Sequence, residues 1–433
     1  MEIINIISKE LIKPSSPTPS DCRDFKLSFI SQRIPHSYFP LILYYPSPQN
    51  LNQSETSKWL KKSLSKTLSH FYPMAGRMND QGSIDCNDEG ILFVESRVDG
   101  NLLELINHPD VQILEQLVPC KSNGILSHAN ELLAVQVNYF KCGGIAVGFC
   151  HSHRIGDGRT LASFISGWAA ETVAAAPTSY NTLIPVLNAA SDLFPPRNTL
   201  DFRPASRPRV LEPPKERLLT KRFIFSPSTI ELLKSQVISS SSSDAKAKPS
   251  RVRVVSAYIW KCCMVAEGLG KTDRSVAFHP VDLRRRIDPP LPDSSFGNIF
   301  QMAYAEANGG EDWMDLVGIL SRAIGKIDEE YFSKLLSENG HELAKSNFEQ
   351  YGKYAFERGL QTVRFTSWCG FPLCDADFGW GKPIWVSSTS YSGKNVVFLF
   401  DSMLCDGGIE AWINMDATKM DKLEEELNMV GGE

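Results

Sequence analysis

The chain has 433 residues, and at about 150 residues per domain this length favours two or three domains. Hydrophobic residues make up 42% and charged residues 22% of the chain, a composition that excludes a largely disordered protein. The formal net charge is −5, so binding to nucleic acid or to an anionic membrane lacks a general electrostatic driving force.

The amino-terminal segment lacks the pattern of a secretory signal, and no later run approaches the ~18 apolar residues of a membrane span. We therefore expect a cytoplasmic protein with no membrane and no nucleic-acid partner. Ten cysteines are scattered along the chain without a CxxC pair or zinc spacing. This pattern predicts reduced, mostly buried thiols and no metal site.

In the first half of the chain, residues 57–70 place apolar side chains at helical spacing with lysines opposite, which predicts an amphipathic helix. Residues 133–139 and 145–150 predict two adjacent strands joined by a glycine turn. Residues 160–172 show helical periodicity again. The segment between the second strand and this helix is therefore a junction that can present side chains at a cleft.

The composition changes after this helix. Prolines punctuate residues 177–214, which predicts an extended crossover. A serine run at 239–243 predicts a flexible loop, and residues 251–268 predict a helix. These features divide the chain into an N-terminal domain (1–190), a crossover linker (191–215) and a C-terminal domain (216–433).

The densest group of chemically useful side chains is the segment from His151 to Gly158, which reads HSHRIGDG. An imidazole suits a general base because its ordinary pKa of ~6.5 lets it accept a proton near neutral pH. The carboxylate of Asp157 can brace the loop. A purely structural histidine is an alternative for so short a motif, and a metal site lacks a further ligand beside the two histidines and one aspartate.

A second motif, Asp377-Phe378-Gly379-Trp380-Gly381, indicates a rigid structural corner with a buried indole. A kinase is excluded because the glycine-rich loop and the HRD catalytic loop that accompany a kinase DFG triplet are missing. The absence of a GxSxG elbow and of a GxGxxG loop argues against a serine hydrolase and a nicotinamide-dependent dehydrogenase.

Together, the HxxxDG and DFGWG motifs resemble those of the plant BAHD acyltransferase family, and the similarity is greatest to its alkaloid acetyltransferases. Segments 11–19, 71–77, 367–369 and 408–412 extend the resemblance over most of the chain. The resemblance implies an α/β fold of two chloramphenicol acetyltransferase-like domains, each a mixed sheet flanked by helices, with a solvent channel between them. It places HxxxDG in the N-terminal domain, and DFGWG with most of the coenzyme A site in the C-terminal domain.

The resemblance also implies roles for individual residues. His153 would be the general base. Asp157 would support it structurally by pairing with Arg284. Asp282, two residues before Arg284, stands where the family usually has asparagine. Thr366 and Trp368 would stabilise the oxyanion or contact the acceptor, although Trp368 could equally be a core residue. The remaining implied positions are His36 and Tyr38 for the acceptor, Ser250 and Lys261 for coenzyme A, and residues 377–381 as an architectural motif.

The function expected from this resemblance is transfer of an acyl group, most simply from acetyl-CoA, to a hydroxyl of a plant specialised metabolite such as an alkaloid. The reaction would proceed in a ternary complex in a monomer, with acyl-CoA as co-substrate and no permanently bound cofactor or metal. Alternatives are an aromatic or malonyl donor, and an amine, terpenoid or phenolic acceptor. A non-catalytic binding protein of the same fold is less favoured because His153 and Asp157 are both present.

Overall fold

A computed structural model describes residues 4–35, 37–47, 52–79, 82–120, 131–174, 183–197, 217–240, 249–391 and 393–429. The chain forms two compact units, each containing a mixed sheet and helices. The first comprises Met1–Val210, Leu291–Ile299 and Phe371–Thr389, and the second comprises Leu211–Pro290, Phe300–Gly370 and Ser390–Glu433. The expected α/β fold with two sheet-containing domains is confirmed.

The first unit contains nine of the described strands and six of the described helices. The strands are β1 (Ile4–Ile12), β2 (Asp24–Phe25), β3 (Tyr38–Tyr45), β4 (Arg77–Met78), β5 (Ile84–Asp85), β6 (Ile91–Val98), β7 (Leu133–Phe140), β8 (Ile145–Ser152) and β13 (Trp385–Ser387). The helices are α1 (Phe29–Arg33), α2 (Gln53–His70), α3 (Leu102–Asn107), α4 (Val111–Leu114), α5 (Gly158–Ala174) and α6 (Ala189–Leu193).

The main sheet of this unit has the described strand order β1-β6-β7-β8-β3-β13, in which only β6 and β7 pair in parallel. Strands β7 and β8 confirm the predicted adjacent pair. Every described side chain of both strands is buried, so the polar Gln136 and Asn138 must find partners inside the protein. Gln136 Nε2 donates to Gln116 O at 2.8 Å, and Asn138 Nδ2 donates to Leu117 O at 2.9 Å.

Helices α2 and α5 confirm the two helices predicted in this half and pack against each other. Helix α2 begins four residues earlier than predicted because the Asn52 side chain caps it, accepting from the Ser54 amide at 2.9 Å. The two helices are joined by the buried Trp168 of α5, whose indole Nε1 donates to Ser63 Oγ of α2 at 3.0 Å. This packing fixes the helix that follows the HxxxDG segment.

The second unit contains the remaining described elements. The strands are β9 (Leu218–Phe225), β10 (Arg274–Asp282), β11 (Phe300–Asn308), β12 (Gln361–Ser367), β14 (Val396–Asp401) and β15 (Ile409–Asp416). The helices are α7 (Pro227–Ser240), α8 (Arg251–Glu267), α9 (Trp313–Gly325), α10 (Glu329–Leu335), α11 (Gly340–Phe356) and α12 (Ala417–Asn428). The described strand order is β11-β10-β12-β14-β15-β9, in which β10, β12 and β14 are parallel.

Helix α8 lies at the centre of the second unit and confirms the helix predicted from residue 251. Ser250 caps its amino terminus, and Gly268 ends it with a left-handed φ of 78°, a conformation that glycine adopts without steric cost. Eleven of its seventeen residues are buried, in a core shared with α7, α9, α12 and the sheet. A helix buried on most sides explains its nearly continuous apolar sequence.

The domain limits differ from the expected contiguous halves. Segments Leu291–Ile299 and Phe371–Thr389 belong to the first unit, and β13 in the latter pairs with β3 in the main sheet. The DFGWG motif therefore lies in the first unit and not with the C-terminal domain, because a strand from late in the chain completes the early sheet. Most of the proline-rich crossover and residues 241–243 of the serine run lie outside the described residues, and α7 extends to Ser240.

The expectation that all thiols are reduced is wrong for one pair. Cys120 and Cys150 form a disulfide, with Cα atoms 6.1 Å apart, a normal separation for such a bond. Their spacing of thirty residues gives no sequence signal, because Cys150 lies on β8 and Cys120 lies in the segment after α4, and only tertiary packing brings the two together. The other described cysteines are free thiols, and three of them, Cys86, Cys262 and Cys263, are buried.

Among the described residues, no helix is both long enough and apolar enough to cross a membrane.

Candidate active site

The HxxxDG segment leaves the end of β8 in the first unit and turns into α5. The backbone amide of His153 donates to Ser37 O at 2.9 Å, which continues the pairing of β8 with β3 to the start of the turn. Gly156 is required in this turn, because a Cβ atom there would lie 2.5–2.9 Å from the Thr160 side chain. The turn is therefore closely packed onto the first turn of α5.

The side chain of Asn298 fixes the ring of His153. Asn298 Nδ2 donates to the carbonyl oxygen of His153 at 2.8 Å and to Ser31 Oγ at 3.0 Å. This orients the amide so that Oδ1 faces His153 Nδ1, at 3.1 Å. An amide oxygen can only accept, so the proton of the neutral ring is on Nδ1, and Nε2 is the basic nitrogen.

The surroundings of His153 favour the neutral ring. Burial lowers its pKa below the ordinary value, and the nearby Asp157 and the Asn298 hydrogen bond oppose this only in part. The ring also packs edge-on against Phe39, with centroids 5.3 Å apart. A neutral, oriented imidazole is the form that a general base requires near neutral pH.

Asp157 is buried and holds the base of the turn. Its Oδ1 accepts from the Thr160 amide at 3.0 Å, as expected for a residue that caps α5, and its Oδ2 accepts from the Ile299 amide at 3.0 Å. Charge-assisted hydrogen bonds to backbone amides are among the stronger ones in proteins. The carboxylate thus ties the turn both to the helix and to a distant segment.

That distant segment, Gly297–Ile299, holds both His153 and Asp157. Gly297 has a φ of 108°, and a Cβ atom there would lie 2.5 Å from Ala190 Cβ, so only glycine fits. Its carbonyl oxygen accepts from Thr160 Oγ1 at 3.0 Å. Asn298 was missed in the sequence because it is 145 residues from His153 and no spacing rule connects the two.

Tyr38 also lies in the first unit, where its hydroxyl donates to the carbonyl oxygen of Glu131 at 2.7 Å. It is opposite Ser152 in the pairing of β3 with β8, one residue before His153 along the chain. The hydroxyl oxygen can still accept a hydrogen bond from a substrate. His36 lies outside the described residues.

The DFGWG motif forms a corner within the first unit. Asp377 Oδ1 accepts from the amides of Gly379 and Gly381 at 2.7 and 2.8 Å. Phe378 is buried and packs edge-on against Trp168 of α5, with centroids 4.8 Å apart, and stacks on Trp380 at 5.5 Å. These contacts favour an architectural role, since the motif packs on the helix that begins at the HxxxDG turn.

In the second unit, β10 ends at Asp282 and is followed by the fully buried Arg284. Asp282 Oδ1 accepts from Arg284 Nη1 at 3.0 Å and from the Arg284 amide at 3.1 Å. The carboxylate that replaces the usual asparagine therefore forms an ion pair with this arginine, which an amide could not do.

Thr366 lies near the end of β12 in the second unit, and Trp368 lies directly after this strand. Thr366 is opposite Phe398 in the pairing with β14, and the Trp368 amide donates to Leu399 O at 2.7 Å. The indole is 5% exposed and stacks on Phe400 at 6.1 Å. Trp368 is thus packed in the core directly after a strand.

The two residues suggested for coenzyme A occupy different situations on α8. Ser250 is exposed at the amino terminus, where its Oγ accepts from the Arg253 amide at 3.3 Å. Lys261 lies about 16 Å farther along the helix axis, and its Nζ donates to Gly309 O at 2.8 Å and Glu311 O at 2.6 Å. Two of the three lysine donors are already used, which weakens Lys261 as a ligand.

Across the described ranges, no group of three or more His, Cys, Asp or Glu side chains is arranged to hold a metal ion.

The family model of the Transferase family matches residues 2–430 of the chain. The chain belongs to this family, the BAHD family suggested by the two motifs, and it is an acyltransferase.

Similar proteins include stemmadenine O-acetyltransferase of Catharanthus roseus, 37% identical over 98% of this chain and 97% of that protein. Limonoid 1-O-acetyltransferase of Citrus sinensis is 39% identical over 99% of this chain and 97% of that protein. The crystal structure of vinorine synthase superposes with a TM-score of 0.83 and 35% identity, covering 99% of this chain and 98% of that one.

Proposed function

We propose that the protein transfers an acetyl group from acetyl-CoA to a hydroxyl group of a specialised metabolite, with His153 as the general base. The observation that carries this proposal is the hydrogen bond from His153 Nδ1 to Asn298 Oδ1, which makes Nε2 the basic nitrogen. The names of the similar enzymes, which are O-acetyltransferases, support acetyl as the acyl group and a hydroxyl as the acceptor.

In the proposed reaction, His153 Nε2 accepts the proton of the acceptor hydroxyl while the hydroxyl oxygen attacks the thioester carbonyl. A tetrahedral oxyanion forms, the bond between carbon and sulfur breaks, and the imidazolium returns the proton to the leaving thiolate. The products are the acetate ester and free coenzyme A. The low pKa of His153 keeps the base unprotonated at neutral pH before each turnover.

Six further positions complete the proposal. Thr366 and Trp368 would donate hydrogen bonds to the oxyanion or contact the acceptor, and Tyr38 would contact the acceptor beside His153. Ser250, exposed at the start of α8, would contact coenzyme A. Asp157 would pair with Arg284, in addition to the backbone amides that it already binds in the first unit.

We propose an alkaloid or a limonoid-like terpenoid alcohol as the acceptor, because enzymes named for both classes are similar to this chain to nearly the same degree. The direct test is to incubate purified protein with acetyl-, malonyl- or hydroxycinnamoyl-CoA and panels of alkaloid and terpenoid alcohols. Thiol release and the mass of the product are followed together.

We expect thiol release with acetyl-CoA and an acceptor that gains one acetyl group in mass. Release without an acetylated product would indicate thioester hydrolysis. Binding of acceptors without turnover of any donor would contradict the proposal and favour a binding protein of the same fold.

A further inference from the structure

A second histidine, His151, lies two residues before His153 and has no part in the reaction just proposed. It is fully buried at the end of β8. Residues two apart in an extended chain face the same side, and both rings accordingly pack edge-on against the ring of Phe39, with centroids 5.0 Å away for His151 and 5.3 Å away for His153.

The hydrogen bonding of His151 defines its tautomer. Nε2 lies 3.2 Å from the carbonyl oxygen of Gly156, which can only accept, so the proton of the neutral ring is on Nε2. Nδ1 is buried, and among the described residues it has no hydrogen-bond partner.

The acceptor of this hydrogen bond is the last residue of the turn that presents His153. Asn298 Nδ2 holds the carbonyl oxygen of His153 at the start of the turn, at 2.8 Å. Asp157 follows the turn and is held by the Ile299 amide. Without the contact from His151, the Gly156 peptide between these two anchors would lose its connection to the strand.

From these contacts we infer that His151 is a positioning residue, which fixes the turn between His153 and Asp157 through the carbonyl oxygen of Gly156. The inference rests on the proposed role of His153 as the base. Burial, and next the neighbouring His153, lower the pKa of His151 to about 3. The ring therefore stays neutral at working pH, and its single N–H remains directed at Gly156.

Two substitutions separate positioning from packing. His151→Gln can place an amide Nε2 donor near the position of the imidazole Nε2, whereas His151→Leu removes the donor and leaves an apolar side chain. We expect His151→Leu to lower kcat about tenfold, since misplacements of up to 1 Å can cost as much as ~10²-fold. KM for both substrates should change less than about twofold, and His151→Gln should recover most of the lost kcat.

The matched control is His279, another buried histidine, on β10 of the second unit, whose Nε2 lies 3.1 Å from Ser256 Oγ. His279→Leu and His279→Gln should affect thermal stability and leave kcat unchanged. Wild-type kcat in His151→Leu would overturn the inference. Equal losses of kcat in His151→Leu and His151→Gln, in step with their losses of Tm, would also overturn it by indicating a purely structural role.

A second measurement separates this inference from the proposed function. In NMR spectra of protein labelled with ¹⁵N-histidine, the wild type should show His153 as the Nδ1–H tautomer, and His151→Leu should show a mixture of tautomers. If His153→Ala retains full turnover, the proposed function fails, and this spectrum alone decides the role of His151. A His153 signal unchanged in His151→Leu would then overturn the inference, and a mixed signal would support it.

Discussion

The two units bury polar side chains in different ways. In the first unit, His151, Asn298 and Asp157 each make a hydrogen bond to the turn and helix start at residues 153–160. In the second unit two buried polar groups are dispersed: His279 contacts Ser256, and Asn414 donates to Tyr391 O and Gly393 O.

This difference indicates where geometry matters for chemistry. Buried polar groups are unfavourable unless they are paired, and a protein can join two elements with one such pair, as the second unit does. In the first unit, by contrast, three buried polar side chains hold one short turn, the one that carries His153. Their concentration therefore favours the first unit as the part that supplies the base.

The largest expected effect comes from removing the base itself. His153→Ala should lower kcat by about 10³-fold, within the range typical for loss of a general base, and should leave Tm nearly unchanged. The matched control is His108→Ala, because His108 is exposed beside α3 and should keep full activity. Turnover of His153→Ala near the wild-type rate would refute the mechanism.

A second test compares two buried asparagines, one from each unit. Asn298→Ala removes the acceptor that sets the His153 tautomer and should lower kcat about 10²-fold. Asn414→Ala removes donors to Tyr391 O and Gly393 O in the second unit. It should cost about 1–3 kcal/mol in free energy of unfolding with kcat unchanged. Equal kcat values in the two variants would remove the distinction between the units.

A third test concerns the Asp157 carboxylate of the first unit. Asp157→Ala leaves the buried Ile299 amide without its acceptor and should lower the free energy of unfolding by about 1–3 kcal/mol. It should also lower kcat about tenfold by loosening the turn. Urea unfolding and steady-state kinetics measure the two effects. An Asp157→Ala variant that is inactive yet as stable as the wild type would contradict the bracing role.

The sequence predicted the parts of this comparison that depend on local patterns. The periodicity of residues 57–70 and 160–172 indicated helices α2 and α5, and the alternation at 133–139 indicated β7. The motif pair indicated the family and a mixed α/β fold with two domains. Each of these signals is contained in a short stretch of chain, where side-chain spacing reflects backbone geometry directly.

The sequence could not indicate features that depend on distant segments meeting. Asn298 contacts His153 because residues 291–299 return to the first unit, and β13 carries DFGWG to the first unit in the same way. The Cys120–Cys150 disulfide joins β8 to the segment after α4, and Lys261 bonds to carbonyl oxygens beyond β11. Such contacts depend on tertiary packing, which the local patterns of a single sequence do not predict.

The smallest expected effect is on stability in acid, and here the two units should behave alike. Burial lowers the pKa of His151 to about 3 and that of His279 to about 4, below the ordinary ~6.5 of an unfolded chain. Between the folded-state pKa values and ~6.5, the unfolded state binds more protons than the folded state, so the free energy of unfolding falls as the pH decreases. As the pH falls from 7.5 to 5.5, each histidine should lower the free energy of unfolding by about 1.4 kcal/mol. Urea unfolding measures the free energy of unfolding at each pH. His279→Leu should reduce the difference in this free energy between pH 7.5 and pH 5.5 by that amount. An unchanged difference would show that His279 is not held neutral by the fold.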